Sequence, residues 1–160
     1  MTIKEGDQMP AGTLTLITKD GPQKISAADY FKGKKVVLFS VPGAFTPTCD
    51  AKHLPGFVER AADIKGKGVA TIACIAVNDA FVMKAWGKAQ NTDDKVDMLA
   101  DGNGEYTKAL GLELDASGFG MGTRGQRFAL VIDNGVVKKL NVEGKGEFKV
   151  SSAEYVLEQL

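Results

Sequence analysis

Val69-Ala70-Thr71-Ile72-Ala73-Cys74-Ile75-Ala76-Val77 is a nearly unbroken apolar run. It is short, rich in β-branched residues, and preceded by Gly66 and Gly68, so it reads as a strand covered on both faces. Lys35 to Ser40, with Val36, Val37, Leu38 and Phe39 continuous, reads the same way. Between them, from Cys49 to about Lys65, Leu54, Phe57, Val58, Ala61 and Ile64 recur at helical spacing. Pro55 should bend this helix, because its ring removes a donor and crowds the carbonyl of Ala51. Two buried strands joined through a helix imply parallel pairing, with helices packed on both faces of the sheet.

The remaining chain supplies the rest of the sheet. Leu14 to Thr18 alternates as a short strand, and Ser26 caps a helical turn through Tyr30 and Phe31. Asp79 caps a helix from Ala80 to about Gln90, Val96 to Ala100 is a strand, and Tyr106 to Leu110 a short helix. Leu112 to Gly125 reads as a glycine-rich loop. Asn134-Gly135 between Phe128–Asp133 and Val136–Val142 is a strong hairpin signal. Ser151 and Glu154 fit a capping box for a last helix ending at Leu160. A β-α-β unit followed by a hairpin and a C-terminal helix is the thioredoxin-like arrangement of the α/β class, a central mixed sheet flanked by helices. With 160 residues and no linker, repeat or low-complexity tract, one domain over residues 1–160 is expected.

Charge and cysteine usage exclude several function classes. Lys+Arg and Asp+Glu both number 20, so there is no electrostatic footprint for nucleic acid or an acidic membrane. The N-terminus lacks the apolar core of a secretory signal, and no apolar run approaches the roughly 18 residues of a transmembrane helix. Two cysteines without a signal point to free thiols in a reducing cytoplasm.

The chemistry concentrates in Pro42-Gly43-Ala44-Phe45-Thr46-Pro47-Thr48-Cys49. Thr46 and Pro47 read as N-cap and first residue of the helix, since proline's missing N–H costs nothing there. Cys49 then lies in the first turn, near unpaired N–H groups and the positive end of the helix dipole. An ordinary cysteine is only about 3% thiolate at neutral pH, so a thiolate here needs that environment. Asp50 opposes it, and Arg127, at the mouth of the Phe128–Asp133 strand, is the cation expected to compensate, with Arg124 nearby. Position alone leaves alternatives open. Cys49 could be a small buried hydrophobe, and the arginines ordinary surface charges. His53, one turn beyond Cys49, could begin a metal site, but with one histidine and two cysteines a four-ligand site lacks ligands, and a structural or tuning role fits better. Cys74, inside its apolar strand, reads as packing.

The motif Pro42-x-x-x-Thr46-x-x-Cys49 resembles the active-site motif of peroxiredoxins. The wider stretches His53-Leu54-Pro55-Gly56-Phe57, Val77-Asn78-Asp79-Ala80-Phe81-Val82, Arg127-Phe128 and Phe148-Lys149-Val150-Ser151-Ser152-Ala153 are similar to the type II, peroxiredoxin-5-like branch. That resemblance implies a thiol peroxidase acting on hydrogen peroxide and alkyl hydroperoxides with no metal or organic cofactor. It makes Cys49 the nucleophile that becomes a sulfenic acid, and Thr46 a hydrogen-bonding partner of peroxide and thiolate. Pro42 would shield the sulfur and Arg127 activate it, with Gly43, Phe45, His53 and Arg124 around the substrate. The stretch 144–151 carries no cysteine where some members hold a resolving one. Regeneration by an external thiol follows, with glutathione and glutaredoxin favoured and thioredoxin the competitor. A homodimer is implied, with Phe45, Phe81 and Trp86 as contributors or else packed within their own subunit. Two other classes remain: a thiol–disulfide oxidoreductase, disfavoured because Thr46 stands where a Cys-x-x-Cys pair would begin, and a non-enzymatic redox sensor or chaperone.

Overall fold

A computed structural model describes residues 1–160. Seven strands form one mixed sheet in the order β2-β1-β5-β4-β3-β8-β9. They are β1 (Thr13–Thr18), β2 (Gly21–Ser26), β3 (Lys35–Ser40), β4 (Thr71–Ala76), β5 (Asp97–Ala100), β8 (Phe128–Asp133) and β9 (Val136–Val142). The two apolar runs sit at the centre, β3 parallel to β4 and β4 parallel to β5. The hairpin β8–β9 adds antiparallel to β3, and Asn134 (φ 49°) and Gly135 (φ 80°) both take the left-handed conformation its tight turn demands.

The period of two along β3 and β4 splits the core into two layers. Val37, Phe39 and Cys74 face the layer holding Leu54, Phe57, Ile64, Trp86 and Val156. Val36, Leu38, Ala73 and Ile75 face the other, with Phe31, Tyr106 and Leu110. The first layer is covered by α2 (Leu54–Glu59), α3 (Ala61–Lys65), α4 (Ala80–Ala89) and α6 (Ala153–Glu158), the second by α1 (Ala27–Phe31) and α5 (Glu105–Leu110). Ser26 and Asp79 cap α1 and α4 as the sequence predicts, accepting from Asp29 N–H at 3.4 Å and Val82 N–H at 2.9 Å.

Three expectations are corrected, and one strand is new. The single bent helix from Cys49 to Lys65 is three pieces: a π turn at Cys49–His53, then α2 and α3, separated at Arg60. Leu54 N–H reaches back to Cys49 O, and Pro55 falls at the start of α2, where it lacks nothing. The final helix is capped by Ser152, which accepts from Tyr155 N–H at 3.2 Å, and Ser151 is turned inward. Within the glycine-rich stretch, β6 (Glu113–Asp115) and β7 (Thr123–Gly125) pair as a small second sheet. Strand β2 is unannounced by its sequence. Pro22 and its mostly polar neighbours are tolerated because the strand lies at the sheet edge.

Candidate active site

The loop from β3 to the first helical turn is pinned by hydrogen bonds at Pro42, Gly43, Ala44 and Thr46. Pro42 O accepts from the Arg124 guanidinium at 3.2 Å, and Ala44 N–H donates to Asn78 Oδ1 at 2.9 Å. Gly43 O accepts both Thr46 N–H at 3.3 Å and Thr46 Oγ1–H at 2.7 Å. This four-residue turn puts Phe45 at φ 63°, a left-handed conformation that costs a bulky side chain about 1 kcal/mol or more. The ring of Phe45 stays half exposed, 6.3 Å from that of Trp86. Gly43 makes room for its neighbours: a Cβ there would lie 2.9 Å from Arg124 Nη1 and 3.0 Å from Thr46 Cγ2, so both side chains would have to shift.

Helical structure begins at Pro47, and Asp50 N–H closes the first bond to Thr46 O at 2.8 Å. Thr46 is thus the N-cap residue and Cys49 lies in the first turn, as predicted. The Thr46 hydroxyl makes no hydrogen bond to the sulfur. Its proton goes to Gly43 O, which leaves its lone pairs as acceptors. Thr48 N–H and Cys49 N–H have no partner in the protein, the normal state of a helix start.

Cys49 is fully buried, and its sulfur accepts from Arg127 Nη2 at 3.0 Å. Nη1 of the same guanidinium donates to His53 Nδ1 at 2.8 Å, and His53 Nε2 lies 2.9 Å from Ser151 O. The partners set the imidazole tautomer. A carbonyl only accepts and a guanidinium only donates, so Nε2 carries the proton and Nδ1 is bare. Burial first, and then the charge of Arg127, hold the His53 pKa down at about 3 against the pull of the Ser151 carbonyl. The ring is gripped by Phe39 (4.9 Å), Phe57 (5.7 Å) and Phe148 (5.0 Å). Sequence reasoning found His53 but not its link to Arg127, because 74 residues separate them.

Four further expectations meet their outcome here. Asp50 is tied down by α4, where its carboxylate accepts from Trp86 Nε1 at 2.8 Å and Gln90 Nε2 at 2.7 Å. Trp86 is fully buried by that packing and is not a surface contact residue, whereas Phe81 is 80% exposed. Arg124 reaches backbone oxygens of Pro42 and Met121 and makes no hydrogen bond to the thiol. Cys74 is fully buried and free, and burial, followed by the neighbouring Cys49, pushes its thiol well up while Arg127 pulls the other way.

The arrangement is chemically legible. It is a buried sulfur with one guanidinium N–H on it, on a first helical turn with two unpaired amide N–H groups, and a Thr46 hydroxyl oxygen free to accept. No group of His, Cys, Asp or Glu side chains is arranged as metal ligands would be. A surface concavity lies elsewhere, between α4 and residues 91–98. Its lining includes Lys84, Lys88, Lys95, Asp93, Asp94 and Asp97 and holds no cysteine, so it is not part of the thiol site.

Residues 4–157 match the Redoxin family model. The chain is 52% identical over 159 residues to "Peroxiredoxin-2B" of Arabidopsis thaliana, covering 99% of this chain and 98% of that protein. It is similar to reduced Prx3 of Vibrio vulnificus solved in complex with H2O2, at 54% identity, 99% coverage of both chains and a TM-score of 0.95. It also resembles the Plasmodium falciparum antioxidant protein described as a 1-Cys peroxiredoxin, at 31% identity, 98% coverage of both chains and a TM-score of 0.91. No helix is long and apolar enough to cross a membrane.

Proposed function

This chain belongs to the redoxin family and, within it, to the type II peroxiredoxins, which are thiol peroxidases, and from that premise we propose that Cys49 reduces hydrogen peroxide and small alkyl hydroperoxides and is regenerated by an external thiol. The observation that carries the proposal is the 3.0 Å contact from Arg127 Nη2 to the buried Cys49 sulfur.

The guanidinium N–H on the sulfur brings a permanent positive charge and a directed donor to the reacting atom. The thiolate attacks the nearer peroxide oxygen in line with the O–O bond. The S–O bond forms as the O–O bond breaks, and the far oxygen leaves with the electron pair and the peroxide's proton, as water or an alcohol. Cys49 is left as sulfenate, in equilibrium with sulfenic acid. A more acidic thiol is a weaker nucleophile, so acidity alone does not make a fast peroxidase. The rate must come from donors fixed at the developing charge: the Arg127 guanidinium and the free N–H groups of the first helical turn. Thr46 Oγ1, its proton committed to Gly43, accepts the O–H of the peroxide and orients it. Pro42 shields the sulfur. Gly43 and Phe45 form the turn that sets this geometry, with Arg124 fastening it and His53 holding Arg127.

Regeneration from outside fits the positions of the thiols. Cys74 lies in mid-sheet with no exposed surface, and residues 144–151 contain no cysteine. Glutathione with glutaredoxin is the favoured reductant, given the similarity to the plant type II proteins, with thioredoxin second. A reducing cytoplasm suits two unpaired thiols. Exposed Phe81 and half-exposed Phe45 suit a homodimer contact near the site.

The test is steady-state peroxide consumption with each reductant system, on wild type, Cys49→Ser and Cys74→Ser. Cys49→Ser should abolish turnover and Cys74→Ser should keep most of it. Peroxidase activity surviving in Cys49→Ser would sink the proposal. A collapse in folded Cys74→Ser would make Cys74 the resolving thiol, and a single stoichiometric oxidation without cycling would mark a sensor.

A further inference from the structure

The hydrogen bonds around Arg127 close into a ring, and Glu143 holds two of its links. Its backbone N–H donates to Arg127 O at 3.0 Å. One oxygen of its carboxylate, Oε2, accepts from Ser151 Oγ at 2.6 Å, Ser151 N–H at 2.8 Å and Lys149 N–H at 2.7 Å. From Ser151 the ring continues through its carbonyl to His53, through His53 to the guanidinium, and so back to Arg127. A residue fixed at both its backbone and its side-chain tip has little freedom to leave the sulfur.

The partners of Glu143 go beyond those of a surface carboxylate. It forms neither of the salt bridges in the structure, which join Arg60 to Glu154 and Lys149 to Glu147. Its charge is met by neutral N–H and O–H donors, all from the segment between β9 and α6. Burial raises its carboxyl pKa, but those donors outweigh it and hold the group below the usual range. The same segment carries Phe148, whose ring stands 5.0 Å from that of His53 and 5.9 Å from Arg127 Cζ. Ser151 is fully buried, with its N–H and hydroxyl spent on Glu143 and its carbonyl on His53.

We propose that Glu143 is a positioning residue for the reaction: its carboxylate seats residues 144–152 so that Ser151 O fixes His53, and His53 fixes the Arg127 guanidinium on Cys49. This rests on the reading of Cys49 as the peroxide nucleophile. It adds that the ability of Arg127 to serve Cys49 depends on a carboxylate that never touches sulfur or substrate.

The experiment uses the full chain with Glu143→Ala and Glu143→Gln, each in wild-type and Arg127→Met backgrounds, folding being checked by circular dichroism. Two readouts are taken: the rate of sulfenic acid formation with hydrogen peroxide, and the pH profile of Cys49 alkylation by iodoacetamide. Misplacement of a working group by about an ångström costs about 100-fold, so Glu143→Ala should slow sulfenic acid formation by about 10- to 100-fold. It should also displace the alkylation profile, and neither change should appear once Arg127 is Met. Glutamine keeps an acceptor oxygen but loses the charge, so Glu143→Gln should lie between. If the alanine variant does not fold, Glu143→Gln must still show a few-fold slowing that vanishes in the Arg127→Met background. Wild-type rate and profile in a folded Glu143→Ala, or an equal loss with and without Arg127, overturns the proposal. A wild-type protein inert to peroxide would instead overturn the reading of Cys49, and the alkylation profile would still report on Glu143.

Discussion

His53 makes an acid limit that belongs to one residue. Folded, it is neutral with a pKa of about 3, whereas the unfolded chain titrates it near 6.5. The folded-state value is depressed, so the stabilising contribution is fully present above about pH 6.5 and is lost progressively as pH falls toward about 3. Protonation would put an imidazolium N–H against the Arg127 guanidinium, two donors 2.8 Å apart with no acceptor between them. In the linear part of this window the loss is about 1.4 kcal/mol per pH unit, so from about pH 7.5 to about pH 5.5 the protein should lose about 1.4 kcal/mol. Most carboxylates stay ionised over that range. His53→Gln isolates the effect, because glutamine offers one donor and one acceptor but does not titrate. Urea unfolding at several pH values, wild type against His53→Gln, should show wild-type stability falling by about 1.4 kcal/mol more than that of the variant. Parallel pH curves would refute the neutral, Arg127-facing imidazole.

Two other perturbations address the geometry around the sulfur. Arg127→Met removes the donor on Sγ, and loss of one such donor from a developing charge should slow sulfenic acid formation by about 100- to 1,000-fold, read by stopped-flow with hydrogen peroxide. An unchanged rate would move the activating role to Arg124. Gly43→Ala forces a Cβ to 2.9 Å from Arg124 Nη1 and 3.0 Å from Thr46 Cγ2, so it should displace the turn and destabilise by about 1–3 kcal/mol, with a slower peroxide reaction. A thermal midpoint and rate equal to wild type would show that the turn is looser than its hydrogen bonds indicate.

The parts of the structure with strong local signals were legible in the sequence. The two apolar runs became the central parallel strands β3 and β4, and Asn134-Gly135 became the hairpin turn. What escaped was decided by partners far along the chain. Strand β2 has weak propensity of its own and exists by pairing with β1. Ser151 has the residue type of a helix cap, yet Glu143 and His53 draw it inward and leave the cap to Ser152. Asp50 looked like a charge opposing the thiolate, and only the fold shows Trp86 and Gln90 holding it. At the site, the first-turn position of Cys49 could be read from Thr46-Pro47. The direct contact of Arg127 with its sulfur spans 78 residues and required the sheet.

The most direct test of the account is a single-turnover capture. Reduced protein is given one equivalent of hydrogen peroxide in the presence of dimedone, and the adduct is mapped by mass spectrometry. Formation of the adduct at Cys49 alone, with Cys74 unlabelled, is the predicted result. An adduct on Cys74, or no sulfenic acid while peroxide is still consumed, would contradict the assignment of Cys49 as the nucleophile.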